Sequence, residues 1–287
     1  MDEMSIIKNF KNDGYHIEKS VTPVSVHEEL FFMFYDLSAS IIKRENISLS
    51  FIPKSIRETV YPDDILELDK LLFSLLNYNK ELIGEIYDTV AYSSTFFKLI
   101  SNPKIEDISR KILSLSSHGP LYSTTHRIRM DWPKDEKRRA GWHQEIFHAY
   151  PDTRFIQTWS PVIRNSTIEN GTIMVCPQSH KNGIAKQNWE EEKEGYATRI
   201  LIDEDVVLKY KPIDIPMEIG ETLFFDPLLF HRSGYNSSKE MRFAQVGMWN
   251  DCSHEGFRAP KPNFVSRTYT PRENYENHIL KDKENTS

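Results

Sequence analysis

LYSTTHRIRM, residues 121–130, marks the point where the texture of the chain changes. β-Branched and aromatic residues are dense in it, and runs of this kind between turn signals read as strands. From about Gly119 onward, similar short segments follow: RFIQTWSPVI (154–163), GTIMVCP (171–177), ETLFFDP (221–227), LLFHRSG (228–234) and MRFAQVGMWN (241–250). Asn170-Gly171, Asp226-Pro227 and Ser233-Gly234 punctuate them as turns. No helices of comparable length alternate with these segments, which argues against a parallel α/β sheet. A mainly β sandwich or jelly roll, covered by N-terminal helices, is the expectation.

Ahead of Gly119 the pattern is helical. Ser25 with Glu28 three residues on has the form of a capping box, and Val26, Leu30, Phe34, Leu37 and Ile41 follow at helical spacing. A second helix is expected after Pro62-Asp63-Asp64, with Ile65, Leu68, Leu72 and Leu75 on one face. Residues 81–90 and 105–115 read as helical too. The expected layout is one domain over 1–287. Residues 1–118 form a mostly helical part with an early strand, 119–273 a β core, and 274–287 a polar tail.

The composition narrows the classes. With 39% hydrophobic and 27% charged residues, the chain is a soluble globular protein able to bury a sizeable core. A net charge of −6 with no dominant basic block argues against nucleic acid as a partner. The apolar run Leu71-Leu72-Phe73 breaks at Ser74, far short of a membrane span, and MDEMSIIKNF has no secretory character. Two cysteines, Cys176 and Cys252, make no disulfide framework, so a reducing, cytoplasmic setting is expected. Oligomeric state is not written in these features.

Three His-x-Glu pairs occur: His16/Glu18, His27/Glu29 and His143/Glu145. Chance alone supplies about 1.5 His-x-acid pairs at this composition, so context must choose among them. His27 and Glu29 lie on a helix, where i and i+2 diverge, and read as solvated surface. His16 and Glu18 have no identifiable third partner. His143 and Glu145 fall in the β-rich part, where i and i+2 share a face. On local evidence they are either a hydrogen-bonded pair or half of a metal site. His231, in the apolar segment LLFHRSG, completes a set of two histidines and one carboxylate. Such a set leaves open positions on a metal and suits non-haem Fe(II). Zinc sites of similar composition exist, but the helical His-Glu-x-x-His signature is absent.

The order WHQE (142–145), NGTIMVCPQSHKNG (170–183) and HRSGYNSSKEMR (231–242), with FKNDGYHIEKSV near the start, resembles the phytanoyl-CoA dioxygenase family. The resemblance spans residues 140–250 and is visible over 6–21. It implies a double-stranded β-helix, a cupin-like jelly roll, and an oxygenase using Fe(II), 2-oxoglutarate and O2. Residue by residue, it implies His143, Glu145 and His231 as iron ligands and Arg242 as partner of the distal carboxylate of 2-oxoglutarate. Ser233 would assist Arg242, and Trp159 would line the same pocket. Ser179 and His180 would be structural. Glu145 departs from the aspartate usual in the family. Because an acid is retained there, halogenation is disfavoured and hydroxylation of a small molecule, with release of succinate and CO2, is the default outcome.

Arg127 and Arg129 share a strand face and either meet an acidic group of the substrate or form a solvated face. His148 and Tyr150, just after the ligand pair, are further candidates for the substrate side, and PKDEKRRAG (133–141) is a candidate lid. Two competing readings remain: a zinc- or manganese-dependent hydrolase or isomerase on the same fold, and a binding protein without turnover.

Overall fold

The computed structural model describes residues 3–136, 141–145, 154–186, 188–190 and 199–257. Six helices dominate the first part: α1 (Glu3–Asp13), α2 (Val24–Arg44), α3 (Ile65–Tyr78), α4 (Glu81–Ala91), α5 (Ser94–Ile100) and α6 (Pro103–Ile112). One early strand, β1 (Tyr15–Glu18), separates α1 from α2. The remaining strands are β2 (Leu121–Asp131), β3 (Phe155–Pro161), β4 (Ile173–Val175), β5 (Asn188–Glu190), β6 (Arg199–Leu201), β7 (Ile213–Ile215), β8 (Thr222–Phe225), β9 (His231–Ser233) and β10 (Arg242–Asp251).

All pairings are antiparallel. A five-stranded sheet runs β1-β8-β3-β10-β2, a three-stranded sheet runs β7-β4-β9, and β5 pairs β6. The period of two decides what each face of the large sheet meets. Trp159, Leu223, Phe225 and Ala244 point inward and pack on Ile173, Val175 and Ile215 of the small sheet. Residues of opposite parity point outward to the helices. Ile128, Met130 and Phe243 join Leu30, Phe34, Leu68, Leu72 and Ile86. Ile156, Phe224 and Trp249 join Ile6, Phe10, Ile105 and Ile108. The result is the jelly roll with a helical cover that the sequence implied. β2 ends the large sheet, and an exposed edge invites further pairing. Here Tyr87 of α4 caps it, its hydroxyl accepting from Met130 N at 2.8 Å.

Several local expectations change. The capping box does not form: Pro23 is the N-cap of α2, with no side-chain cap bond. Its extended backbone starts the helix at Val24, so Ser25 already lies inside the first turn and cannot cap it. His27 is not solvated; it is fully buried, with both ring nitrogens unpartnered. α2 packs against α3, α4 and α5, so its buried stripe is wider than one helical face and takes in His27. His16 and Glu18 bond each other at 3.1 Å, and Glu18 also meets Lys104 at 3.0 Å. Helix α5 and strand β7, absent from the sequence reading, are short, and α5 is capped by Ser93 accepting from Phe96 N. Among the described residues no helix is long and apolar enough to cross a membrane.

Candidate metal centre

The WHQE stretch lies along the edge of β9. His143 N donates to His231 O and His231 N to His143 O, both at 3.1 Å, and Glu145 N donates to Pro227 O at 2.9 Å. Extended backbone then sends alternate side chains to opposite sides. Trp142 packs with Cys176, Ile202, Val207 and Phe230, under the Arg232 guanidinium 4.6 Å from its ring centroid. Gln144, fully buried, donates to Gly183 O (2.9 Å) and Leu228 O (2.8 Å) and accepts from Ala185 N (2.9 Å). Two residues anchor the segment, and the two between and after them, His143 and Glu145, are turned the other way.

There they meet His231. Ligand atoms of His143, Glu145 and His231 lie within 4.8 Å of one another. The His143 and His231 ring centroids are 4.2 Å apart, and Phe225, from the inner face of the large sheet, meets His231 edge-on at 4.9 Å. His143 Nε2 is 3.7 Å from Glu145 Oε2. The tautomers follow from the other ring nitrogens. His143 Nδ1 faces Gly141 O at 2.7 Å and His231 Nδ1 faces Leu229 O at 2.8 Å. A carbonyl only accepts, so each Nδ1 must carry the proton, and each Nε2 is left as a lone pair in the neutral ring. Burial, then the neighbouring His143, pushes the His231 pKa down to about 3, which keeps that ring neutral. Two imidazole Nε2 atoms and a carboxylate, converging between two sheets, are a donor set that fits a divalent transition metal.

A second group of charges lies beside this set. Arg242 opens β10, is 1% exposed, and faces inward. It donates to Gly171 O and to the Asp131 carboxylate, and approaches Ser233 Oγ at 3.4 Å. Its guanidinium carbon lies 5.8 Å from the centre of the Trp159 ring. Asp131 is its register partner across β2–β10 and also accepts from Arg129 at 3.0 Å. Burial alone would raise the Asp131 carboxyl, but Arg242 and Arg129 outweigh it and hold the pKa at about 2. Ser233 is two residues past His231 on β9, hence on the same face and roughly 6.5 Å along the strand.

The path to Arg242 differs from a simple hairpin. β9 pairs β4, whereas β10 pairs β2 and β3, so the intervening turn crosses from one sheet to the other. Asn236 fixes that crossing, donating to Asp131 O (3.1 Å) and Glu240 O (2.8 Å). Gly171 makes room for it: its φ is +83°, and an added Cβ would sit 2.8 Å from Gly234 O and Asn236 N. The acids near Arg242 in sequence are engaged elsewhere, Glu240 with Arg164 and Asp251 with Arg154. Ser179 and His180 have structural contacts: Ser179 Oγ accepts from Phe230 N at 2.8 Å, and His180 Nε2 meets Lys11 O at 3.2 Å.

Of the substrate-side candidates, Arg127 and Arg129 lie on the inward face of β2, in register with Val246 and Ala244. Arg129 is tied to Asp131 and does not form a solvated face. His148 and Tyr150 lie outside the described residues, as does 137–140 of the candidate lid. Asp131 and Gln144 were missed from the sequence. The alternation Arg127-x-Arg129-x-Asp131 carried a signal for the first, since all three fall on one strand face.

A model of the family described as phytanoyl-CoA dioxygenase (PhyH) matches residues 76–244. This chain belongs to the phytanoyl-CoA dioxygenase family. Within it, the chain is 25% identical over 167 residues to the peroxisomal phytanoyl-CoA dioxygenase of Homo sapiens, covering 56% of this chain and 47% of that protein. The Bos taurus protein is 26% identical over 131 residues, covering 44% and 39%. The chain thus spans about half or less of the length of the curated relatives it matches. Among solved structures, EctD from S. alaskensis, with 2-oxoglutarate and 5-hydroxyectoine, superposes with a TM-score of 0.59 at 17% identity over 92% of this chain and 82% of that one. The epimerase SnoN, in complex with Fe3+, alpha ketoglutarate and nogalamycin RO, gives 0.58 at 14% identity over 93% of both chains. EvdO2 from Micromonospora carbonacea var. aurantiaca, complexed with 2-oxoglutarate, gives 0.57 at 15% identity over 93% and 98%. The fold is therefore that of the family's jelly-roll relatives.

Proposed function

We propose that this protein is a non-haem Fe(II)- and 2-oxoglutarate-dependent oxygenase that hydroxylates a small-molecule substrate. The observation that carries the reading is the donor set itself. His143, Glu145 and His231 present converging ligand atoms, and both histidines have Nδ1 committed to backbone carbonyls. Membership of the phytanoyl-CoA dioxygenase family supports it, as do structural relatives described with iron or 2-oxoglutarate. Bound iron, with 2-oxoglutarate and O2, supplies the oxidising chemistry and releases succinate and CO2.

The chain's own residues have separable tasks in this reading. His143, Glu145 and His231 would hold the metal. Arg242 receives the distal carboxylate of 2-oxoglutarate through a charge-assisted fork, with Ser233 Oγ beside it and Trp159 as a wall. Ser233, on the same face of β9 as His231, stands beside the Arg242 guanidinium. In the structure Asp131 occupies that guanidinium, and Arg129 shares the same carboxylate. Cosubstrate binding then adds a second anion to a cluster of two guanidiniums and one carboxylate. Phe225 and Val175, from the apolar cluster between the sheets, line the side of His231.

On the same reading the protein works as one domain in a reducing, cytoplasmic setting, in keeping with its two free thiols. The test is succinate formation from 2-oxoglutarate by purified protein across a small-molecule panel. Turnover should require added Fe(II) and 2-oxoglutarate and vanish in His231→Ala. Substrate conversion that proceeds with zinc in place of iron and without 2-oxoglutarate would favour a hydrolase or isomerase.

A further inference from the structure

Arg127 is set apart from the other charged residues of the inner face. It lies opposite Val246 on β10, which lies opposite Trp159 on β3, so the three form a row across the inward face of the large sheet. The neighbouring Ile128 is turned the other way, into the helix-packed core. Arg129 and Arg242 both bond Asp131. Arg127 makes no hydrogen bond or ion pair with any of the described residues, and its side chain remains open to solvent. It is nevertheless set among protein atoms on the metal side. Burial first and the Arg129 charge second lower its pKa, while Glu145 acts in the opposite sense.

The charges of the proposed complex leave this guanidinium over. Glu145 and the keto-acid carboxylate of 2-oxoglutarate balance Fe(II). The distal carboxylate balances Arg242, and Asp131 balances Arg129. Among the described residues one cation, Arg127, faces the same space without a bonded counter-ion, and a cation in a partly desolvated site favours an anionic ligand. A single positive charge on a planar fork matches a monoanionic carboxylate in both charge and shape. A phosphate dianion would leave an excess of negative charge.

We propose that Arg127 anchors a carboxylate of the primary substrate, so that small carboxylic acids are the substrate class of this site. The proposal rests on the Fe(II)/2-oxoglutarate reading above, with Arg127 assigned to the substrate and not to the cosubstrate.

The test uses the full chain, loaded anaerobically with Fe(II) and saturating 2-oxoglutarate so that Arg242 is occupied. Matched acids and amides are then titrated by calorimetry: hexanoate and hexanamide, benzoate and benzamide, N-acetylleucine and N-acetylleucinamide. Wild-type protein should bind at least one acid about tenfold or more tightly than its amide. Arg127→Gln should bring that pair to within about twofold, while the affinity for 2-oxoglutarate changes less than about threefold. Arg127→Lys should keep part of the preference. No preference for any acid in the wild type, or a preference that survives in Arg127→Gln, overturns the proposal. So does a large loss of 2-oxoglutarate binding in Arg127→Gln, which would place Arg127 in the cosubstrate site. If the wild type fails to bind 2-oxoglutarate at the loading step, the oxygenase reading itself has failed, a result distinct from the other three.

Discussion

Asp131 and Arg242 face each other across the β2–β10 ladder, and the buried carboxylate accepts from the guanidinium while also holding Arg129. The pairing keeps a charged side chain ready inside a protein core. Without Asp131, two guanidiniums would share a low-dielectric space and lose the carboxylate that bonds both.

Asp131→Asn should therefore destabilise the fold by about 3–5 kcal/mol, the cost of breaking a buried ion pair from one side. The acid limb adds a signature. The Asp131 pKa is lowered from 3.8 to about 2, so its stabilising contribution is full above the unfolded value and is lost as pH falls through the folded one. That contribution is about 2 kcal/mol. Urea unfolding at a series of pH values should show wild-type stability falling between roughly pH 4 and 2, a fall reduced in Asp131→Asn. Equal stability of the two proteins at neutral pH would contradict the account.

Gln144 is turned away from the proposed metal ligands, and its amide fixes the segment that carries two of them. Gln144→Leu leaves two carbonyls and one N–H without their partner, at about 2–3 kcal/mol. Iron affinity should fall by about 10- to 100-fold, as for other residues that orient ligands. Competition with a chelator measures it. Unchanged affinity in a folded variant would mean that the ligand segment is held by its backbone pairing to β9 alone.

His27 supplies a prediction far from the site. Burial lowers its pKa from 6.5 to about 4. A base depressed in the folded state binds protons more readily when unfolded, so stability is full above about pH 6.5 and declines toward pH 4. The loss amounts to about 3 kcal/mol. His27→Leu removes two unpartnered nitrogens from the core and should flatten that stretch of the profile while leaving iron affinity unaltered. A profile with the same slope in both proteins between pH 6.5 and 4 would rule out His27 as its source.

The strands were legible because each keeps a consistent local character. Residues 121–130 alternate between helix-facing Ile128 and Met130 and inward-facing Arg127 and Arg129, a period of two that needs no tertiary knowledge. Likewise Leu68, Leu72 and Leu75 mark α3 at helical spacing and all prove buried. What escaped depends on partners distant in sequence. That β9 and β10 belong to different sheets follows from their pairing with β4 and with β2 and β3, not from the turn between them. His27 is buried because three other helices close around α2. At the site, His143, Glu145 and His231 were recoverable as a set, whereas Gln144 earned no notice because its amide acts on the loop at Gly183–Ala185 and the turn at Leu228.

The most direct test of the oxygenase reading is an anaerobic equilibrium titration of 2-oxoglutarate into Fe(II)-loaded protein, followed by its visible absorption and by calorimetry. Wild-type protein should bind one equivalent, and only with the metal present. Arg242→Ala should still load Fe(II) but bind 2-oxoglutarate about 30- to 1000-fold more weakly, the loss of a charge-assisted fork worth about 2–4 kcal/mol. Arg242→Lys should recover part of that loss. No 2-oxoglutarate binding by the Fe(II)-loaded wild type, or equal binding by Arg242→Ala, would contradict it.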